Sequence, residues 1–438
     1  SLNTTEKSLA NKNNPWLAAF LLVGSLALLF WLDYSFLLPL KEVDANDVTF
    51  FWSGTRTVLL GGNPYDPTPG SLYHQIRVEA GGDPKFIDPF KSPVLLTLLF
   101  LPLAALPLSI AAALWTLITQ VLLGMSVFWV IRGAGLTSLP GRVLAGIGMA
   151  LLWRYTFLEM IVGNLSLLLL FAIVAAWYAS LKHHPYLAGA AIPLLLLKPH
   201  VTFLIVPLLL ALPISGDKND PANWKGRASL RRLIGFGLVS LFFMSYSFAV
   251  QPSWVGQMAG TLFGSNQSYF NNQDINNQLT SLRSVVAAFV PDSALVQPVA
   301  IVIAIPLWLG AGWLWWRFRN NLKAAPFLLA TVTGLNILTS PYIRDYDSVV
   351  LLFGLLFCFF TLQRQEKNKL LRGKWSWLCW LLAFLPYPVH FLATATSYAF
   401  ENLITLLYLL LVALTWRESA KTTITAAPLI ASEESLTL

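Results

Sequence analysis

The sequence predicts an all-α polytopic membrane protein, and three observations carry that prediction. Of 438 residues, 56% are hydrophobic and only 11% are charged, a balance that water-soluble domains rarely reach. The apolar residues are gathered into runs, many of which approach the roughly 20 residues that a helix needs to cross a bilayer. Those runs lack the alternation of a barrel strand, so helices are what remains to satisfy every backbone polar group in lipid.

Twelve stretches read as spans, at about 16–38, 107–131, 142–160, 164–181, 186–198, 200–213, 233–251, 294–316, 325–340, 347–362, 375–395 and 399–416. The first is too long for a signal-peptide core and has no small-residue cleavage site after it, so it reads as a retained anchor. Residues 92–131 contain Pro102 and Pro107 and form either a hairpin or one span preceded by an external interfacial helix. Basic residues arbitrate. With one span, twenty of the 29 Lys and Arg fall on a single side, among them Arg132, Arg142, Arg231, Arg232, Arg317 and Arg364, as the positive-inside rule requires. Both termini are then cytoplasmic, and the expected location is the cell membrane, plasma or inner. Residues 1–416 form one transmembrane domain with a large first outer loop at 41–91 and an amide-rich outer loop at 251–293. The tail, 417–438, is rich in Ser, Thr, Ala and Glu without apolar periodicity and predicts no order.

Two other classes are set aside on composition. The formal charge of +8 does not indicate nucleic acid, because the basic residues lie between apolar runs and not in one aromatic-laced patch. Cys358 and Cys379 show no CxxC spacing and no His cluster, and read as small buried hydrophobes.

The first outer loop holds the most suggestive residues. Asp44 and Asp47 precede Val48-Thr49-Phe50-Phe51-Trp52, and Gly61-Gly62-Asn63-Pro64-Tyr65-Asp66 follows. Asp47 is placed to cap an interfacial helix whose Phe51, Val58 and Leu59 share one face, with the Gly-Gly-Asn-Pro turn as its stop. A carboxylate held there is partly desolvated, and a raised pKa suits it to accept a proton. A helix cap alone is the competing interpretation.

Together with Ser92-Pro93, Leu101-Pro102-Leu103, Leu106-Pro107 and Leu114-Trp115, this loop resembles the membrane glycosyltransferases of family 87. These GT-C-fold enzymes include polyprenyl-phosphate-mannose-dependent α-1,2-mannosyltransferases. Further matching positions are Gly163-Asn164-Leu165-Ser166, where the family tends to carry Gly-Gln-x-Asn, and Lys198-Pro199. The chain departs from the family at Phe51-Trp52, where a Tyr is common. It departs again after Ser340-Pro341, where Tyr342-Ile343-Arg344-Asp345-Tyr346-Asp347 stands in place of a His-containing turn.

The resemblance implies a GT-C-type fold and transfer of a hexose, mannose foremost, from a polyprenyl-phosphate sugar to a glycolipid or glycan acceptor at the outer face, with inversion. By similarity Asp47 is the general base, with Asp44 as its substitute or as an acceptor contact. The leaving lipid phosphate needs cations, for which Arg344, Lys198 and Arg283 are candidates. Arg344 ranks first because a guanidinium grips phosphate bidentately; the competing interpretation of each is a snorkelling interfacial cation. Tyr65, Asn164, Asp345 and Asp347 are candidate sugar or acceptor contacts, the last two alternatively orienting Arg344. Trp254 joins them from the amide-rich loop, since amides pair with hydroxyls and rings stack on sugar faces, although amide-rich loops are also simply soluble. Arg154 and Glu159 are expected to pair across the turn before Gly163. No cofactor is expected: Asp345 and Asp347 are too few ligands for an oxygen-rich metal site, with a divalent ion left open. Partners are the lipid-linked donor, the acceptor and membrane lipids.

Other classes compete. A transporter or flippase for a lipid-linked or polyol substrate would place ionisable residues near the midplane on broken helices, whereas here nearly all charges sit at span ends. An inactive carrier-lipid-binding scaffold is separated from an enzyme by activity alone.

Overall fold

The computed structural model describes residues 15–37, 46–85, 87–138, 140–213, 224–264, 280–290, 292–366, 376–396 and 400–433. Every regular element among them is a helix, and the protein is an all-α polytopic membrane protein. Among the described residues, six helices are long and apolar enough to cross a bilayer, or seven if the bent pair Pro140–Leu152 and Arg154–Val162 counts as one span. The remaining apolar stretches form shorter or broken helices, including Ser166–Leu181, Pro185–Leu197 and Ala325–Thr339. Proline is the main reason: Pro193, Pro199 and Pro207 interrupt the run from Tyr186 to Pro213, each removing a backbone donor.

Burial sorts the long helices. The window within Asp345–Gln365 is 94% buried and forms the bundle axis, whereas that within Arg227–Val250 is 17% buried and faces lipid. A large apolar cluster surrounds the axis, with Phe353, Phe359, Trp153, Trp177 and Tyr408 among its members. A second cluster lies under the first outer loop, where α2 (Asp47–Leu59) and α4 (Leu96–Ala104) pack on α5 (Leu108–Gly133) around Phe51, Phe90, Phe100 and Trp115. At nine residues, α4 is far too short to span, so residues 92–131 contribute one span preceded by a short helix that does not cross.

The sequence reading of α2 needs two corrections. Its cap is Asn46, whose side-chain oxygen accepts from the Val48 N–H at 2.9 Å, which leaves Asp47 as the first helical residue with its carboxylate free of that task. The helix is also not half-open to the interface. Phe51, Trp52, Gly54 and Thr55 are all buried, because α4 packs along α2, and only towards the C-terminal end is the helix more open, with Val58 half-buried and Leu59 49% exposed. The stop is as expected: Gly61 has φ +76°, and the Gly62 N–H turns back to the Thr57 carbonyl at 2.8 Å.

The last helix also runs beyond expectation, from Glu401 to Glu433. A preformed span supplies the nucleus that an isolated tail lacks, so Ala, Glu and Lys residues extend it at low cost.

Candidate active site

Three breaks in helical structure meet at one end of the bundle. The first lies between α7 (Arg154–Val162) and α8 (Ser166–Leu181). Gly163 ends α7 in the left-handed region at φ 69°, and a Cβ there would collide with the Val48 side chain, so glycine is required twice over. Glu159 Oε1 accepts from the Ser166 and Leu167 N–H groups at 2.6 and 3.2 Å, capping α8. From α5, the Trp115 indole donates to the Gly163 and Asn164 carbonyls at 3.0 and 3.3 Å.

The second break is Lys198-Pro199. The proline pushes Lys198 out of helical geometry, to φ −141° and ψ 71°, and the lysine side chain leaves the span there. Asn336, buried in the helix Ala325–Thr339, repairs the damage: its amide donates to the Val201 carbonyl at 2.7 Å and accepts from the Leu204 N–H at 2.8 Å. The third break is Ser340-Pro341. Ser340 Oγ donates to the His200 carbonyl at 2.8 Å, joining the second and third breaks. Beyond it, the Arg344 N–H donates to Asp347 Oδ2 at 3.1 Å, starting the 3-10 turn Asp345–Leu351.

Side chains from these breaks form one connected group. Lys198 Nζ donates to Asp347 Oδ1 and, at 2.9 Å, to Asn164 Oδ1. Asn164 Nδ2 in turn donates to Asp47 Oδ2. Ser166 Oγ donates to Asp347 Oδ1 at 2.7 Å, the Tyr346 ring lies beneath the Lys198 ammonium at 5.0 Å, and Arg344 Nε donates to the Tyr342 hydroxyl at 3.1 Å. Burial raises the Asp47 pKa above the ordinary carboxylate value; Lys198, the Asn164 hydrogen bond and Arg344 pull it back, while Asp347 pushes it up again. The result is a half-buried acid with heightened proton affinity, beside two cations and a second carboxylate.

The structure divides the sequence-derived candidates. Asp47, Asn164, Lys198, Arg344 and Asp347 come together. Arg283 is buried on the helix Leu282–Phe289, within the field of the Tyr342 hydroxyl. Tyr65 is 6% exposed, donates to the Ser92 carbonyl at 2.8 Å and packs edge-on against Phe90, so it closes the loop on itself. Trp254 is also 6% exposed and sits in the second apolar cluster against Phe248, with no open ring face. Gln251 ties this region to the first loop through Asn63 Oδ1 at 3.2 Å. Asp44 and most of the amide-rich run lie outside the described residues.

Two expectations fail on geometry. Arg154 does not pair with Glu159: five positions apart on the same helix, α7, the two side chains point different ways, Arg154 to Asp345 at 2.9 Å and Glu159 to the start of α8. Asp345 is thus engaged by Arg154, while the Arg344 N–H is held by Asp347. Glu401, His390 and Tyr155 were not singled out from sequence: the Tyr155–Glu401 contact joins residues 246 positions apart, which no local spacing marks. Tyr342 stood in the turn after Ser340-Pro341 but was given no role, although it lies two residues from Arg344.

The arrangement joins a carboxylate of raised proton affinity to two cations and a second carboxylate, where three broken helices meet at one end of the bundle. No curated protein sequence matches the chain. The family model of glycosyltransferase family 87 matches residues 90–341, a stretch that holds Trp115, Asn164, Lys198 and Arg283 and stops just short of Arg344. That match covers more than half of the 438 residues, and the chain, a membrane-embedded glycosyltransferase, belongs to glycosyltransferase family 87.

Proposed function

We propose that this enzyme transfers a hexose, with mannose as the first candidate, from a polyprenyl-phosphate sugar to a glycolipid or glycan acceptor on the outer face of the cell membrane. In this reading both termini are cytoplasmic and the reaction is a single displacement with inversion. The observation that carries it is the chain of contacts from Asp347 through Lys198 and Asn164 to Asp47, beside Arg344.

Each group has a chemical task. Asp47 accepts the acceptor hydroxyl proton as that oxygen bonds to the anomeric carbon, and its raised proton affinity favours the transfer. Asn164 fixes the carboxylate and keeps one of its oxygens occupied. The bond from the anomeric carbon to the phosphate oxygen breaks, and the developing negative charge falls to Arg344, with Arg283 behind Tyr342. Lys198 is committed to Asp347 and Asn164, so it contributes a fixed positive field more than a mobile grip. The sugar and lipid specificities rest on the family resemblance of the sequence.

Proteoliposomes supplied with polyprenyl-phosphate mannose and a mannoside acceptor test the assignment. Arg344→Ala is expected to raise KM for the donor, and an unchanged donor dependence removes it from the site. Equal or better use of a soluble nucleotide sugar would overturn the lipid donor.

A further inference from the structure

Helix α2 carries a further feature on the side turned from Asp47. Arg56 follows Asp47 by about two and a half helical turns, so the two side chains leave α2 on opposite faces. On that far face Trp52 and Arg56 line a cleft of about 420 Å³, with Glu79 at the end of the helix Leu72–Glu79 and with Ala105, Pro107 and Leu108 where α4 gives way to α5. The Trp52 indole donates to the Leu106 carbonyl at 2.9 Å and Arg56 Nη1 to the Ala104 carbonyl at 3.2 Å, which pins both side chains to that turn. The guanidinium lies over the Trp52 ring, 5.0 Å from its centroid.

The cleft holds both signs of charge, kept apart. Arg56 is half-buried and Glu79 exposed, and among the described residues neither forms an ion pair, with the other or with any third group. They therefore offer a donor fork at one point of the cleft and an acceptor at another. Leading away from the cleft, α5 presents Ile110, Ile118, Val121, Met125 and Phe128, all 36% to 41% exposed. Their steps of eight, three, four and three residues keep them on one face. Because α5 is long and apolar enough to cross a bilayer, that face meets acyl chains, and the cleft at its first turn stands at headgroup level, where indoles concentrate.

These charges select among headgroups. A net anionic head would meet Glu79 as a like charge. A choline head has no N–H for the carboxylate, and Trp52, 7% exposed with Arg56 over its ring, has no open face for a quaternary ammonium. We propose that the cleft binds the phosphoethanolamine head of a membrane phospholipid, with the phosphate on Arg56, the primary ammonium on Glu79 and an acyl chain along the face from Ile110 to Phe128. The bound lipid bridges α2, the helix Leu72–Glu79 and α5, and so braces from behind the helix that begins with Asp47. The inference rests on α5 crossing the bilayer, whichever sugar the enzyme transfers.

Native mass spectrometry of the full-length protein in detergent, titrated in turn with the dioleoyl forms of phosphatidylethanolamine, phosphatidylcholine and phosphatidylglycerol, counts bound lipid directly. The wild type should bind the ethanolamine lipid about tenfold more tightly than either of the others, the effect of one charge-assisted hydrogen bond. Arg56→Gln should weaken its binding by about tenfold, and Glu79→Gln should abolish the preference over phosphatidylglycerol. Glu79 is exposed, so its substitution spares the fold and keeps the test decisive even where Arg56→Gln does not fold. Equal affinity for the three lipids in the wild type, or a preference that Glu79→Gln leaves unchanged, overturns the proposal. So does displacement of the lipid by an equal concentration of soluble phosphoethanolamine, which would show that the acyl chains add nothing, or by a mannoside, which would make the cleft an acceptor subsite. Binding is read without turnover, so failure to find a lipid-linked donor would sink the functional reading and leave this one to its own result.

Discussion

Asp47 is held between opposed influences, and the balance sets what each substitution does. Burial raises its proton affinity, while Lys198, Asn164 and Arg344 lower it. Asp47→Asn is expected to cut transfer by about 10²- to 10⁴-fold, the usual contribution of a positioned base. The sign for stability is opposite. With its folded pKa above the unfolded value, Asp47 holds a proton that the unfolded chain has lost, so it costs stability as pH rises through that window. Thermal unfolding at neutral pH should therefore show Asp47→Asn as stable as the wild type or more so; a collapsed Tm together with lost activity would point to a structural residue. Asn164→Ala removes a hydrogen bond that favours the carboxylate. Its acid limb of kcat/KM against pH should move to higher pH, and an unmoved limb would show that Asn164 does not tune the base.

The helical breaks make the site, and their devices can be tested one at a time. Gly163→Ala forces a side chain into the left-handed region and against Val48, at a cost of about 1–3 kcal/mol, readable as a lower Tm in detergent. Asn336→Leu leaves the Val201 carbonyl and the Leu204 N–H without their side-chain partner, again about 1–3 kcal/mol for the buried polar groups. These breaks also decide what could be read in advance. Lys198-Pro199 and Ser340-Pro341 announce themselves, since proline ends a helix and a cation beside it must leave the apolar run. Asp47 was legible because an acid opens an aromatic helix just before a Gly-Gly-Asn-Pro stop. Arg154 was not: Glu159, five positions along the same helix, faces another way, and nothing near Arg154 in the sequence points to Asp345, 191 residues on. Tyr65 and Trp254 misled for another reason, since an aromatic in a polar loop looks the same whether it faces a sugar or packs a core.

At the scale of the whole molecule, hydropathy made the class legible and the distribution of charge predicts an outer placement for the first loop, whereas packing decided which apolar stretches became long helices. The proposed orientation has a direct check. Cys358 and Cys379 are both buried, so background labelling is low. Lys85→Cys, in the first outer loop, should react with a membrane-impermeant maleimide on intact cells, and Lys182→Cys only after permeabilisation. The reverse pattern would invert the topology and put the site on the cytoplasmic face.

Of the two cations that restrain Asp47, Arg344 is the one an arriving phosphate would engage, within the fixed field of Lys198. An anion bound there screens Lys198 and Arg344 from the carboxylate and adds its own negative field, so ligation and protonation are thermodynamically linked. Donor binding should then draw protons from solution, and its calorimetric heat should vary with the ionisation enthalpy of the buffer. In Asp47→Asn that variation should vanish. A glycosyltransferase built this way gains donor affinity as the medium acidifies while its base loses competence, which confines efficient turnover to a band of pH between the two effects.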